Sequence, residues 1–204
     1  KTLPLKRKTG ILLLTFLLLV GGGCLAFEGL KIDIKAKVGQ ILLNRAWENT
    51  LETGKEQRPW SGFDGSLVFR LTVPKYKVDQ VVLKGTSGQN LAWGPSYHVE
   101  SSLPEEKGPT VISSHRDSHG IFIKNMQIGD VIKLQDHHKN WHTYEVEDLF
   151  ILDVNKENVA LNPNDDRLLL VTCYPFEAVF SGTPLRYVVS AVKKPSEWRI
   201  ASQR

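Results

Sequence analysis

After Pro59 the chain breaks into short apolar runs divided by turn residues. SLVFRLTV at 66–73, VDQVVLKG at 78–85 and TVISS at 110–114 are the first of these. DVIKLQD at 130–136, WHTYEVEDLFIL at 141–152, RLLLVTC at 167–173 and LRYVVSAV at 185–192 complete the set. Short runs of β-formers between Gly, Pro, Asn and Asp turns predict an all-β fold, a closed sheet or a sandwich. The regular strand–helix alternation that a parallel sheet requires is missing. Ahead of the strands, residues 29–56 read in part as a helix. Val38, Ile41, Leu42, Ala46 and Leu51 roughly follow a 3.6-residue period, and Gly54 is placed to end it. This helix is expected to dock on the outside of the domain.

A different pattern precedes it. Residues 11–27, ILLLTFLLLVGGGCLAF, carry no charge and follow Lys6, Arg7 and Lys8. As a helix, the segment spans roughly 25 Å, slightly less than a hydrocarbon core of about 30 Å, and snorkelling basic side chains extend it. The pattern predicts a single-pass anchor in the inner (cytoplasmic) membrane. The basic end stays cytoplasmic and the bulk of the chain is periplasmic or otherwise extracytoplasmic. A cleaved signal peptide is the rival reading, with Gly21, Gly22 and Gly23 as the small residues. Cys24 is poorly placed for lipidation, because Gly21 stands where a bulky aliphatic residue is expected. Three regions follow from these patterns: 1–28 as basic stub and transmembrane anchor, 29–60 as lead-in helix, and 61–204 as the main β domain.

Charge sharpens this division. The net charge is +4, and Lys1, Lys6, Arg7 and Lys8 supply all of it. From Glu28 onward acids and bases balance, which removes the basic footprint of a nucleic-acid binder. The same portion holds one cysteine, Cys173, so no disulfide forms within it. An unpaired thiol in an exported domain is a liability unless it is buried or has a task.

Cys173 closes one strand-like run and opens into a loop, a rigid and accessible position for a nucleophile. A thiol needs a cationic neighbour to be reactive at neutral pH. His115 closes the run TVISS, and His119 follows four residues later as a weaker candidate. Arg186 begins the last strand, 13 residues after Cys173, where a guanidinium could stabilise an oxyanion. Each residue alone also reads as structural: a core thiol, a hydrogen-bonded imidazole, an ordinary ion-pair arginine. His137, His138 and His142 invite a metal reading, but they fall in a strand–turn–strand pattern and read better as a solvated hairpin. Gly85 and Gly88 lack the Gly-Lys-Ser/Thr ending of a phosphate loop.

Several blocks in order resemble the sortase family of cysteine transpeptidases. LAWGPSYHVESSLPEEKGPTVISSHRDSHG at 91–120 is similar to the stretch leading into the family histidine. Gly94-Pro95, His98, Leu103-Pro104 and His115-Arg116 are the matching points within it. FIKNMQIGDVIKL at 122–134, LLLVTCYPF at 168–176 and PLRYVVSA at 184–191 match the blocks that follow. The TCYPF form is most similar to the sortases of Gram-negative bacteria. The resemblance implies a closed sortase-like β-barrel of about eight strands with short helices. It implies Cys173 as nucleophile, His115 as acid and base, and Arg186 as oxyanion clamp, with Thr172 and His98 as supporting groups. The implied substrate is a protein with a C-terminal sorting signal like Leu-Pro-X-Thr-Gly, cut between Thr and Gly. The acyl group passes through a thioester to an amine in peptidoglycan or another envelope component, without metal or organic cofactor. Ser113-Ser114 departs from the small residue and glycine that often precede the family histidine. A cysteine endopeptidase acting on the same motif and a non-catalytic, membrane-tethered β module are the alternatives. A peptidoglycan L,D-transpeptidase does not fit, because no histidine lies just before the thiol.

Overall fold

The computed structural model describes residues 5–156, 162, 164–178 and 182–195, with side chains outside 5–12 and 24–37. The described residues form eight strands: β1 (Leu67–Val73), β2 (Val78–Lys84), β3 (Ser96–Tyr97), β4 (Thr110–Ser114), β5 (Val131–Gln135), β6 (Trp141–Asp153), β7 (Arg167–Cys173) and β8 (Leu185–Lys193). They close into a barrel in the order β1-β2-β3-β4-β7-β8-β6-β5. The closing pair, β1 with β5, is antiparallel, with Leu71 opposite Leu134. Closure leaves no open sheet edge.

Seven strands lie within a residue of where the apolar runs predict them. The eighth, β3, has two residues and no legible period. It is held by pairing with β2 and β4. Gly88, one of the two glycines without a phosphate-loop ending, opens a short helix. In this α2 (Gly88–Trp93), the Ser87 side chain accepts a hydrogen bond from the Asn90 amide as N-cap.

The barrel interior is filled by alternate residues from around the sheet, among them Phe69, Ile112, Leu134, Tyr144, Leu168, Leu170 and Val189. The intervening residues of β4, β6, β7 and β8 form a second apolar layer on the outer face: Val111, Leu152, Leu169, Val171 and Val188. Val171 and Cys173 share this face, because side chains two apart along a strand point the same way.

The backbone contacts divide the chain into two compact units, Lys1–Gly39 and Gln40–Arg204. Helix α1 runs from Leu5 to Thr53 and stops where Gly54 takes φ 67° and donates its amide to the Thr50 carbonyl. Within the second unit, the end of α1 packs on the barrel through Leu43, Ala46 and Trp47, against Phe63, Leu67, Val81 and Leu83. The stripe the sequence suggested holds in part: Ala46 is buried and Leu51 packs against this cluster. Val38 and Ile41 are exposed, at 47% and 63%, and positions 43, 46, 47 and 50 face the barrel. Among the described residues no helix is long and apolar enough to cross a membrane, so the fold lends the transmembrane expectation no support. The side chains of Lys6, Arg7, Lys8, Cys24 and both ends of the 11–27 segment lie outside the described residues.

Candidate active site

Three neighbouring strands bring the candidate residues to one end of the barrel. In the antiparallel pair β7–β8, Cys173 lies directly opposite Arg186. In the parallel pair β4–β7, Ser114 lies opposite Thr172. His115 leaves β4 one residue later, level with Cys173. His115, Cys173 and Arg186 thus stand side by side on consecutive strands, though far apart in sequence. Cys173 is a free, half-buried thiol, and His115 is exposed.

Each flank of this row is fixed locally. Thr172 points into the barrel, and its hydroxyl donates to the Ser114 carbonyl at 2.8 Å. A hydroxyl has one proton to give, and here it joins β7 to β4 beneath the site. Gly120 folds back over the same point, donating its amide to the His115 carbonyl at 2.8 Å. A Cβ at Gly120 would fall 2.8 Å from that carbonyl oxygen and against the Ser114 hydroxyl, so the close approach requires glycine. On the other flank, the Arg186 Nη1 donates to the carbonyls of Thr183 and Leu185 at 2.7 and 2.8 Å. Thr183 in turn donates its hydroxyl to the Tyr174 carbonyl. Tyr174, Phe176 and Tyr187 form an aromatic cluster against the loop, with Phe176 and Tyr187 ring centres 5.0 Å apart.

Beside the row, on the outer face, lies a cavity of about 240 Å³. Val111, Val171, Leu152 and Val154 give it apolar walls, Arg186 closes one side, and His98 and Glu100 line another. His98 shares a 2.7 Å hydrogen bond between its Nε2 and the Ser113 hydroxyl. Burial pushes its imidazole below the ordinary value, and the Glu100 carboxylate only partly offsets this. His98 is therefore a wall of the cavity, tied to β4.

The other histidines scatter. His119 is buried in the loop after β4, where desolvation holds its imidazole below the ordinary value despite a hydrogen bond to the Ala92 backbone. His137 packs on Trp47, ring centres 4.8 Å apart. His142 Nε2 bonds the Asp136 carboxylate at 2.9 Å. Burial alone would raise the Asp136 carboxyl, but hydrogen bonds from His142, Asn140 and His138 outweigh it, and its value lies below the usual range. The β5–β6 hairpin thus closes around the Asp136 carboxylate, and Glu105, from the loop before β4, brings a ligand atom within 4.8 Å of those of Asp136 and His142.

Residues 71–194 match the family model for the sortase domain. The chain belongs to the sortase family. It is 27% identical over 143 residues to Sortase D of Bacillus subtilis (strain 168), covering 70% of this chain and 71% of that protein. Solved sortases share the fold. A Clostridium perfringens Sortase D5 transpeptidase superposes with a TM-score of 0.57 at 19% identity, covering 81% of this chain and 99% of its own. Sortase A of Listeria monocytogenes gives 0.55 at 26% identity, covering 63% and 88%. The chain is accordingly a sortase-type transpeptidase, as the ordered blocks imply. None of these relatives speaks for the Gram-negative subclass suggested by the TCYPF form.

Arg116 is the residue whose weight the sequence did not show. It was legible as half of a His-Arg pair, but nothing in that spacing tells where a guanidinium on a loop will point.

Proposed function

We propose that this sortase cleaves a sorting signal like Leu-Pro-X-Thr-Gly between Thr and Gly and transfers the acyl group to an envelope amine. The observation that carries the reading is the level row of His115, Cys173 and Arg186 beside an apolar cavity on the same sheet face. The cavity walls suit the aliphatic part of the signal, which brings the Thr carbonyl toward the thiol. The Cys173 sulfur attacks that carbonyl as thiolate. His115 gives its proton to the departing glycine amine, leaving a thioester on Cys173. His115 then takes a proton from the incoming amine as it attacks, and the Cys173 thiolate is released beside the reprotonated imidazole. Arg186, held at its Nη1 by two carbonyls, presents fixed positive charge to the developing oxyanion.

Product analysis by mass spectrometry, with a Leu-Pro-X-Thr-Gly peptide and triglycine as acceptor, tests the assignment. The amine-ligated peptide is the expected product. Hydrolysed peptide alone at every triglycine concentration would make the chain a cysteine endopeptidase.

We further infer that residues 11–27 tether the chain to a membrane, with the barrel on the extracytoplasmic side. The support is the charge-free run behind three basic residues, and the exposure of Leu13, Leu14, Phe16, Leu17, Leu18 and Leu19 along the helix. A contiguous exposed apolar surface of this kind marks a surface that water does not normally cover.

A further inference from the structure

Arg116 follows His115 directly, yet its side chain is only 10% exposed. One side of the guanidinium meets Asp117, with Nε on Oδ1 at 2.8 Å and Nη2 on Oδ2 at 2.9 Å. The other side reaches the loop after Cys173. Nη1 donates to the Pro175 carbonyl at 2.6 Å, and Nη2 donates to the Ala178 carbonyl at 2.8 Å. These acceptors lie two and five residues beyond the thiol. Pro175 and Ala178 also form one turn, because the Ala178 amide donates to the same Pro175 carbonyl at 3.3 Å.

The chemistry of this contact is specific to arginine. Its planar fork offers five donors in fixed directions, so one edge can hold a carboxylate while the other collects two backbone oxygens. An ammonium offers a point charge and cannot fill both roles. Asp117 aims the fork from outside, where it is 73% exposed. The guanidinium keeps its proton more firmly than usual, first through the hydrogen bond to Asp117, with Cys173 and Glu177 also within electrostatic reach.

We propose that Arg116 is a positioning residue that bolts the His115 segment to the loop following Cys173, keeping acid/base and nucleophile level through the catalytic cycle. β4 and β7 are already joined below the site by Thr172 and Ser114. Above it, both chains leave the sheet as loops, and Arg116 restores the link that the ladder no longer supplies. Misplacing reacting groups by about 1 Å costs on the order of 100-fold in rate, so the effect of releasing this link falls on the chemical step.

This inference rests on the proposed roles of Cys173 and His115, and its test separates the two. Arg116→Lys and Asp117→Asn are made in the full chain, with Cys173→Ala as control. Steady-state kcat and KM are measured with the sorting peptide, alongside the rate of iodoacetamide alkylation of Cys173 at pH 7 and the melting temperature. Arg116→Lys keeps a positive charge beside the thiol but loses the two-carbonyl grip. Alkylation is expected to stay within about twofold of wild type, while kcat falls at least about tenfold, with KM changing less than kcat. Asp117→Asn, on an exposed side chain, keeps the fold intact and is expected to lower kcat by a smaller factor, in the same direction. A wild-type kcat in both variants overturns the proposal. So does a loss seen entirely in KM, which would make Arg116 a substrate contact. Activity persisting in Cys173→Ala would instead overturn the reading of the site, whatever Arg116 does.

Discussion

His119 sits four residues beyond His115 and illustrates how environment decides the use of a histidine. It is buried, and its Nε2 has no hydrogen-bond partner among the described residues. Desolvation lowers its proton affinity, as it does for His98. In the unfolded chain these imidazoles protonate near pH 6.5, while in the folded chain they stay neutral to lower pH. Between those two values the unfolded state binds more protons, so acid favours unfolding. Stability is expected to be flat above about pH 7 and to fall as pH drops through about 6.5. Thermal melts from pH 8 to pH 5 measure it, and His119→Gln should flatten part of the slope. An unchanged melting temperature down to pH 5 would contradict the burial argument. Asp136, held below the usual carboxyl range, contributes its own loss only at lower pH, as pH falls from its unfolded value near 4 through its folded one. Cys173 was the most legible residue of the site, as the lone thiol of a charge-balanced domain. The contacts of Thr172 and His98 were not legible, because no spacing rule reveals that one hydroxyl bonds the Ser114 carbonyl or that an imidazole leans on Ser113.

At the scale of elements, strands announced themselves wherever an apolar run was long enough to alternate. β3 did not, because Ser96 and Tyr97 alone carry no period, and their order comes from neighbours on both sides. The lead-in helix shows a second limit. Apolar content alone suggested Val38 and Ile41 beside Ala46 for its inner face, but the helix buries Leu43, Ala46, Trp47 and Thr50, the spacing i, i+3, i+4, i+7. Trp47 is the anchor. It is fully buried, and its indole Nε1 donates to the Gln135 side chain at 3.3 Å. Trp47→Ala is expected to destabilise the domain by about 3–5 kcal/mol, as large-to-small core changes do. Turnover per folded molecule should persist, since the candidate row lies on β4, β7 and β8. Urea denaturation at constant pH checks this, and a midpoint equal to wild type would show that the helix does not contribute to the domain's stability.

For the whole molecule, the sequence divides a basic, apolar start from a charge-balanced remainder, and the proposed tether rests on this division. A membrane tether would keep the barrel close to envelope amines and to substrates that are themselves passing outward. With Leu14→Lys and Leu18→Lys together, two charges enter the centre of the apolar run, at a cost of about 2.5–3.5 kcal/mol each for membrane insertion. The wild-type chain is expected in the membrane fraction after carbonate extraction, and the double variant is expected to shift substantially to the supernatant. Wild type found wholly in the supernatant would remove the tether from the account. The catalytic claim is independent of it and rests on three residues brought level by strand register. Intact-protein mass spectrometry, with the sorting peptide and no acceptor, addresses that claim most directly. Wild type should gain the mass of the acyl fragment, mapped by digestion to Cys173 and discharged by triglycine, while Cys173→Ala gains nothing. An acyl adduct on any other residue, or full turnover by Cys173→Ala, would contradict it.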